Sequence, residues 1–161
     1  MRDHKRWNEA LDAYREYVAC LDVAWERYSA LLSMAECAAA LELADEKVQF
    51  LLSALSTDPT RAEGFFRLGR HYYDREEWRK AIPFLTAATT LDRPTEGFVD
   101  DDAYQAGPWD ALAICFSRLG RHDEALEMTL KALMTSDDRE RLMKNMTFYL
   151  DQLKVQRNEG R

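Results

Sequence analysis

The sequence has little that would place the protein in a membrane or in the secretory pathway. It contains no run of about 18 uncharged apolar residues, the length that a membrane-spanning helix needs. The amino terminus, MRDHKRWNEA, is polar and lacks the apolar segment of a secretory signal. These absences predict a cytoplasmic protein without a membrane partner.

Cysteine and histidine are scarce, and neither is arranged to hold a metal ion. The three cysteines, Cys20, Cys37 and Cys115, include no CxxC pair and have apolar neighbours, which predicts reduced, buried thiols. The three histidines show neither an HExxH motif nor paired ligand spacing. We therefore predict neither a metal nor any other cofactor.

The charge balance and the missing strand patterns exclude further classes of protein. With 22 basic and 29 acidic side chains the net charge is −7, and no basic stripe is present to attract nucleic acid. No glycine-rich strand–turn–helix segment and no alternating strand pattern could house an α/β catalytic domain. A non-enzymatic protein of one domain, residues 1–161, is expected.

Two segments of the chain repeat one another. Residues 61–94 and 105–138 carry large, small and aromatic side chains in the same order, always 44 positions apart. The matching pairs are Phe65 with Trp109, Leu68 with Leu112, Gly69 with Ala113, Tyr72 with Phe116, Ala81 with Ala125, and Ala88 with Ala132. This pattern predicts stacked helical hairpins whose helices approach closely at the small positions.

The other segments complete an all-α architecture. Residues 28–60 form a weaker first repeat, residues 6–18 an orphan helix whose hairpin partner is missing, and residues 138–156 an amphipathic capping helix. Residues 92–106 are an insertion loop, which should fold back because Phe98, Val99 and Tyr104 are costly to expose together. We expect a short right-handed superhelix of antiparallel helical hairpins, closed by the capping helix.

Three sequence patterns suggest where helices begin. Thr60-x-x-Glu63, Asp74-x-x-Glu77 and Asp137-x-x-Glu140 each resemble a capping box, in which side chains satisfy the first backbone amides of a helix. The patterns predict that Thr60, Asp74 and Asp137 precede helices.

One face of each first helix in the two clear repeats lies opposite the packing stripe. Residues three or four positions apart share a face of a helix, so this face should line a concave groove. An aromatic pair beside two arginines suits a peptide with carboxylates, which Arg70 and Arg118 would bind as forked donors. An ordinary polar helix face explains the pattern equally well. The predicted groove residues are Glu63, Phe66, Arg70, Tyr73, Asp110, Ile114, Ser117 and Arg118.

Three consecutive aspartates, Asp100 to Asp102, raise the possibility of a cation site. Divalent ions need hard oxygen ligands held in fixed positions, such as the end of a strand. The triplet instead lies in a loop between helices, without a second carboxylate cluster. A solvated acidic turn is the better interpretation.

The order of residues resembles a known repeat family. Two stretches, LGRHYYDREEWRKAI and LGRHDEAL, are similar to tetratricopeptide repeats, and the resemblance covers most of residues 28–138. The stretches PTRAEGFFRLGRHYY, LDRPTEGFV, WDALAICFSRLGRHDEAL and RERLMKNMTFYL further resemble the carboxyl-terminal tetratricopeptide region of nucleotide-sugar glycosyltransferases. In those relatives the catalytic domain lies upstream, so the resemblance implies an accessory module.

The resemblance implies a non-catalytic module that binds a peptide, a partner protein or a separate glycosyltransferase catalytic chain. Two alternatives stay open. One is a homodimeric scaffold that pairs through the helix Trp7 to Val18, because an open end of a repeat stack leaves an apolar face uncovered. The other is a glycosyltransferase fragment that binds a sugar nucleotide through Asp100 and Asp102.

Overall fold

The computed structural model describes residues 2–159, and its regular secondary structure there is helical. Within that range there are eight α-helices, one short 3-10 helix at Asp101–Tyr104, and no strand. The all-α prediction is confirmed. The α-helices are α1 (Arg2–Ala19), α2 (Ala24–Ala40), α3 (Ala44–Thr57), α4 (Ala62–Asp74), α5 (Trp78–Ala88), α6 (Ala106–Arg118), α7 (His122–Ala132) and α8 (Arg139–Glu159).

The chain divides into two compact units. Of the described residues, the first unit contains 2–65 together with Asp92–Val99, and within it α2 packs against both α1 and α3. The second unit contains Phe66–Leu91 and residues 100–159, and within it α6 packs against α5, α7 and the 3-10 helix, while α7 packs against α8. The single domain expected from the sequence stays a prediction.

The small residues of the repeat lie where helices approach one another. Ala81, Ala113 and Ala125 have no exposed surface, and Gly69 is buried on α4. A Cβ atom added at Gly69 would lie 2.7 Å from the Leu85 side chain on α5, closer than real Cβ contacts allow. The prediction that small side chains permit close helix packing is confirmed.

The turns inside the hairpins repeat with the same offsets as the sequence. Glu42, Glu76 and Gly120 have positive φ angles of 60°, 59° and 75°. Each lies two residues beyond the end of a first helix (α2, α4 or α6), and the second helix begins two residues later. A left-handed residue at this position is a common helix terminator. Glu42 and Glu76 are 34 residues apart, and Glu76 and Gly120 are 44 residues apart. The second spacing equals the 44-residue offset of the two clear repeats, so the backbone supports the repeat register independently of the side chains.

The predicted capping boxes are wrong in detail. Asp74 is the last residue of α4, and Glu77, which precedes α5, makes no capping hydrogen bond through its side chain. At α8 it is Asp138, not Asp137, that accepts the backbone amide of Arg141, at 3.3 Å. Before α4, Thr60 donates its hydroxyl to Asp58 at 2.6 Å. Neighbouring polar residues compete for these positions, and the sequence pattern does not distinguish them.

Part of the insertion folds back onto the first unit, as expected. The Arg61 guanidinium donates to the backbone carbonyl of Glu96 and, at 3.4 Å, to that of Phe98. Between them Gly97 has a φ of +80°, and a Cβ there would lie 2.8 Å from the Trp25 ring. The Phe98 side chain, however, is 70% exposed. The backbone of the loop is therefore held against the first unit, but the Phe98 ring is not buried, and the expectation that it would be is wrong.

Candidate partner-binding groove

A groove of about 540 Å³ lies in the second unit. Four carboxylates and two guanidinium groups line it, so it offers both signs of charge. We call it the polar groove. Its lining residues are Phe66, Arg70, Asp102, Ala106, Gly107, Asp110, Ser136, Asp137, Asp138 and Arg141.

Helix α4 contributes Phe66 and Arg70 to the polar groove. Residues four positions apart lie one above the other on a helix, which explains why they share this wall. Phe66 is 8% exposed and presents only a small apolar surface. The Arg70 guanidinium lies 4.3 Å from the centre of the Tyr73 ring and 3.4 Å from Asp74, and its side chain is 43% exposed. Arg70 therefore combines a stacked position with donors that solvent can reach.

Helices α6 and α8 meet at the groove through an ion pair. Arg141 donates hydrogen bonds from its two terminal nitrogens to the two carboxylate oxygens of Asp110, at 3.2 and 3.0 Å. Its Nε donates to Asp138 at 2.7 Å. The hydrogen bonds that Arg141 donates to Asp110 and Asp138 raise the pKa of Arg141, and the bond to Asp138 lowers the pKa of that carboxyl. Arg141 thus fixes two acidic groups of the groove in place.

Asp102 stands at the groove beside the start of α6. It is an exposed residue, but its carboxylate packs closely against Gly107, where an added Cβ would lie 2.6 Å from Oδ2. Loss of hydration there raises the pKa of Asp102, and the nearby Asp100 raises it further. Asp100 itself lies 3.8 Å from the guanidinium of Arg67. A cationic group brought into the groove would stabilise the ionised form of Asp102.

The structure brings together three of the predicted groove residues: Phe66, Arg70 and Asp110. Tyr73 supports Arg70 through its ring and contacts Trp78 edge-on. Ser117 lies close to Tyr149 of α8, and Ile114 is half-buried on α6. None of Tyr73, Ile114 and Ser117 is among the residues that line the groove in the described part of the chain.

Two predicted groove residues lie in other surroundings. Glu63 is 1% exposed and belongs to the first unit, where its carboxylate lies 3.4 Å from the Tyr28 hydroxyl and 4.0 Å from Arg61. A partner cannot reach a carboxylate that is buried in this way. The prediction that Glu63 lines the groove is therefore wrong, and its contacts are with other residues of the first unit. Arg118 is exposed but lies over the Trp78 ring, 5.9 Å from its centre, and it is not among the lining residues of the polar groove within residues 2–159.

The sequence reasoning missed the second arginine of the groove, Arg141. The apolar stripe of α8 indicates a capping helix, and it gives no information on the polar side chains of that helix. The signal that could have found Arg141 is positional, because α8 follows α7 as the first helix of a further hairpin would. Its first turn then lies at the same edge as the start of α6.

Within residues 2–159 no group of three or more histidine, cysteine, aspartate or glutamate side chains is arranged to hold a metal ion. Cys37 and Cys115 are buried, and burial raises the pKa of the Cys115 thiol to about 12. Cys20 is exposed, which corrects the expectation that all three thiols are buried.

No helix in the described range has the length and apolar character needed to cross a lipid bilayer.

Comparison with known proteins supports the repeat family. Residues 65–96 match the family described as Tetratricopeptide repeat. The human prolyl 4-hydroxylase subunit alpha-3 is 31% identical over 86 residues, which are 52% of this chain and 16% of that protein. The chain therefore spans less than a fifth of the length of the curated relative it matches.

Solved structures show the same fold. The crystal structure of MamA protein has a TM-score of 0.73 at 20% identity, covering 98% of this chain and 79% of that chain. A thermophilic TPR protein of Thermus thermophilus, TTC0263, has a TM-score of 0.63 at 22% identity, covering 91% of this chain and 74% of that chain. At these identities the likenesses show a TPR-like helical fold, and the match to the tetratricopeptide repeat family covers residues 65–96. The finer resemblance to glycosyltransferase regions stays a prediction.

Proposed function

We propose that the protein is a non-catalytic interaction module that holds a segment of a partner protein in the polar groove. The observation that carries this proposal is the set of charged groups around an accessible space of about 540 Å³, with Arg70 stacked on Tyr73 at its edge. Helical-repeat proteins offer such surfaces on the first helices of successive hairpins. Ordered charges of both signs favour a polar chain segment over an apolar ligand.

The groove suits a segment that carries both signs of charge. Arg141 already donates from all three of its nitrogens to Asp110 and Asp138, whereas Arg70 donates from one terminal nitrogen to Asp74 at 3.4 Å. Arg70 therefore has more donors left for a partner carboxylate. On the same groove, a lysine or arginine of the segment can approach Asp102 and Asp137. The segment therefore places an acidic side chain on Arg70 and a basic one near the start of α6.

A displayed library of random peptides tests this proposal. The enriched peptides are synthesised and their affinity is measured by calorimetry against the wild type, Arg70→Ala and Arg118→Ala. We expect Arg70→Ala to weaken binding roughly tenfold or more, about 1.4 kcal/mol, because a charged contact is lost. Arg118→Ala is the matched control, since it removes the same charge from an exposed arginine that lies over a ring outside the groove.

Equal weakening by Arg118→Ala would show that overall charge, not the polar groove, attracts the peptides. Failure to enrich any peptide, or unchanged affinity in Arg70→Ala, would also contradict the proposal. Both variants should keep their stability within about 1 kcal/mol, because both side chains contact solvent.

A separate glycosyltransferase catalytic chain is a candidate partner on the strength of the sequence resemblance. The stretches that carry it include LDRPTEGFV and RERLMKNMTFYL. A neighbouring reading frame that encodes such a catalytic domain without its own repeats would support the pairing. Sugar-nucleotide binding by this chain would instead require that calorimetry with a sugar diphosphate and manganese gives heat that Asp102→Asn abolishes.

A further inference from the structure

Helix α1 exposes an apolar face in the first unit. Its Leu11 is 2% exposed, on the helix that packs against α2. Trp7 and Tyr17, however, are 41% and 51% exposed, and Ala10 and Ala13 lie between them. At 100° per residue these four side chains fall on one flank of the helix, beside the flank that contains Leu11. Two large aromatic side chains on one exposed flank indicate a docking surface.

A hollow of about 260 Å³ lies at the amino-terminal end of this flank. It is lined by Asp3, Arg6, Trp7 and Ala10. The small side chain of Ala10 leaves space beside the Trp7 ring, and Asp3 and Arg6 provide a polar rim. An aromatic side chain with a hydroxyl at its tip fits such a hollow, because its ring packs on apolar atoms while the hydroxyl meets a charged group.

We propose that the occupant of this face is α1 of a second copy of the chain, packed antiparallel. Tyr17 lies ten residues, about 15 Å along the helix, from Trp7. In a two-fold arrangement centred near residue 12, Tyr17 of each copy enters the hollow of the other. A two-fold interface is self-complementary, so one protruding side chain, Tyr17, and one hollow on the same helix are enough to form two identical contacts.

The charges of α1 select the antiparallel direction. Lys5 and Arg6 lie near its start together with Asp3, whereas Glu9, Asp12 and Glu16 lie further along. The basic Arg15 among them is already paired with Asp12 and with Glu46 of α3, so the later part of α1 presents Glu16 to a partner. Antiparallel packing brings Arg6 of one copy within about one helical turn of Glu16 of the other, and the reciprocal pair forms by symmetry. Parallel packing would place Arg6 near Arg6 and Glu16 near Glu16. The antiparallel pairing also sets the two helix dipoles in opposite directions.

Sedimentation velocity of the full chain tests the pairing over roughly two orders of magnitude of protein concentration. The interface is a single helix pair, so we expect a monomer at low concentration and a dimer at high concentration. The single variants Arg6→Glu and Glu16→Arg should each move the midpoint of the monomer–dimer transition to a protein concentration at least roughly tenfold higher, because like charges then face each other. Lys154→Glu on α8 is the matched control for charge reversal and should dimerise like the wild type.

Mixing the two single variants gives the decisive measurement. Arg6→Glu carries acidic groups at both positions and Glu16→Arg carries basic groups at both, so antiparallel packing pairs them with opposite charges throughout. The mixture should form heterodimers at concentrations where each variant alone is monomeric, and the double variant Arg6→Glu/Glu16→Arg should regain wild-type pairing. Unchanged far-ultraviolet circular dichroism confirms that the exposed substitutions leave the helices intact.

Three outcomes would overturn the inference. A wild type that stays monomeric at the highest concentration excludes the second copy as occupant. Open-ended assemblies larger than a dimer indicate a head-to-tail contact instead of the two-fold pairing. A dimer that is insensitive to both single variants, or a mixture that does not form heterodimers, places the interface elsewhere.

Discussion

Arg141 on α8 binds Asp110 on α6 through two parallel hydrogen bonds, from its terminal nitrogens to both carboxylate oxygens. The planar guanidinium matches the carboxylate, and this geometry is the strongest that an ion pair adopts in proteins. The pair therefore does two things in the second unit. It ties the last helix to α6, and it occupies the donors of Arg141, so that Arg70 is the groove arginine with more donors left for a partner.

A double-mutant cycle on Arg141→Ala and Asp110→Ala should measure a coupling energy of about 1 kcal/mol, the upper part of the range for a partly exposed pair. The side chains are 45% and 20% exposed. The control cycle uses Lys144 and Glu140, a 2.7 Å pair on one helix with side chains 74% and 83% exposed. It should give about 0.3 kcal/mol. Urea unfolding measures both, and equal coupling energies would mean that the bidentate geometry contributes nothing extra.

The left-handed turn positions predict opposite effects of two glycine exchanges. Glu76 adopts a φ of 59°, which strains a residue with a Cβ, so Glu76→Gly should raise the free energy of unfolding by about 0.5 to 1 kcal/mol. Gly120 occupies the equivalent turn with a φ of 75°, and an added Cβ would meet no atom within 4 Å. Gly120→Ala should therefore lower the free energy of unfolding by about 1 kcal/mol through backbone strain alone. Thermal unfolding checks both, and the same sign for the two variants would contradict the shared turn geometry.

The sequence predicts more of the fold than of the groove. The small residues at Ala81 and Ala125 determine the repeat register, because a close helix crossing admits little else at those positions, and the structure buries both completely. The groove depends on long polar side chains, whose positions are decided by which neighbours they meet. Glu63 has the spacing of a groove residue, yet the first turn of α4 meets Tyr28, whose hydroxyl accepts the Gly64 amide at 2.7 Å. That contact links residues 36 positions apart, and no local pattern reveals it.

Acidification should weaken the first unit through Asp58. Partial burial acts to raise the pKa of Asp58, but hydrogen bonds from Thr60 and Arg61 outweigh it and hold the pKa below its ordinary value of 3.8. The folded state therefore favours the ionised carboxylate. Its stabilising contribution is complete above the ordinary pKa and is lost as the pH falls through the lower folded value.

The measurement for Asp58 is the free energy of unfolding of the wild type minus that of Asp58→Asn, over a pH series. We expect this difference to be constant near neutrality and to shrink below about pH 4. Thr60→Ala removes the hydroxyl donor at 2.6 Å and should make the pH dependence smaller. A difference that grows on acidification would mean that the pKa of Asp58 is raised in the folded protein.

The three cysteines should react with a thiol reagent in two separate stages. Cys20 is exposed, whereas Cys37 and Cys115 are buried, and burial raises the pKa of both buried thiols. Because the thiolate is the reactive form, neither buried cysteine should react while the protein stays folded. A colorimetric thiol titration at about pH 8 should count one rapid thiol in the native protein and three in denaturant. Cys20→Ser is the control and should abolish the rapid phase alone, while a second rapid thiol in the native wild type would show that α2 or α6 opens to solvent.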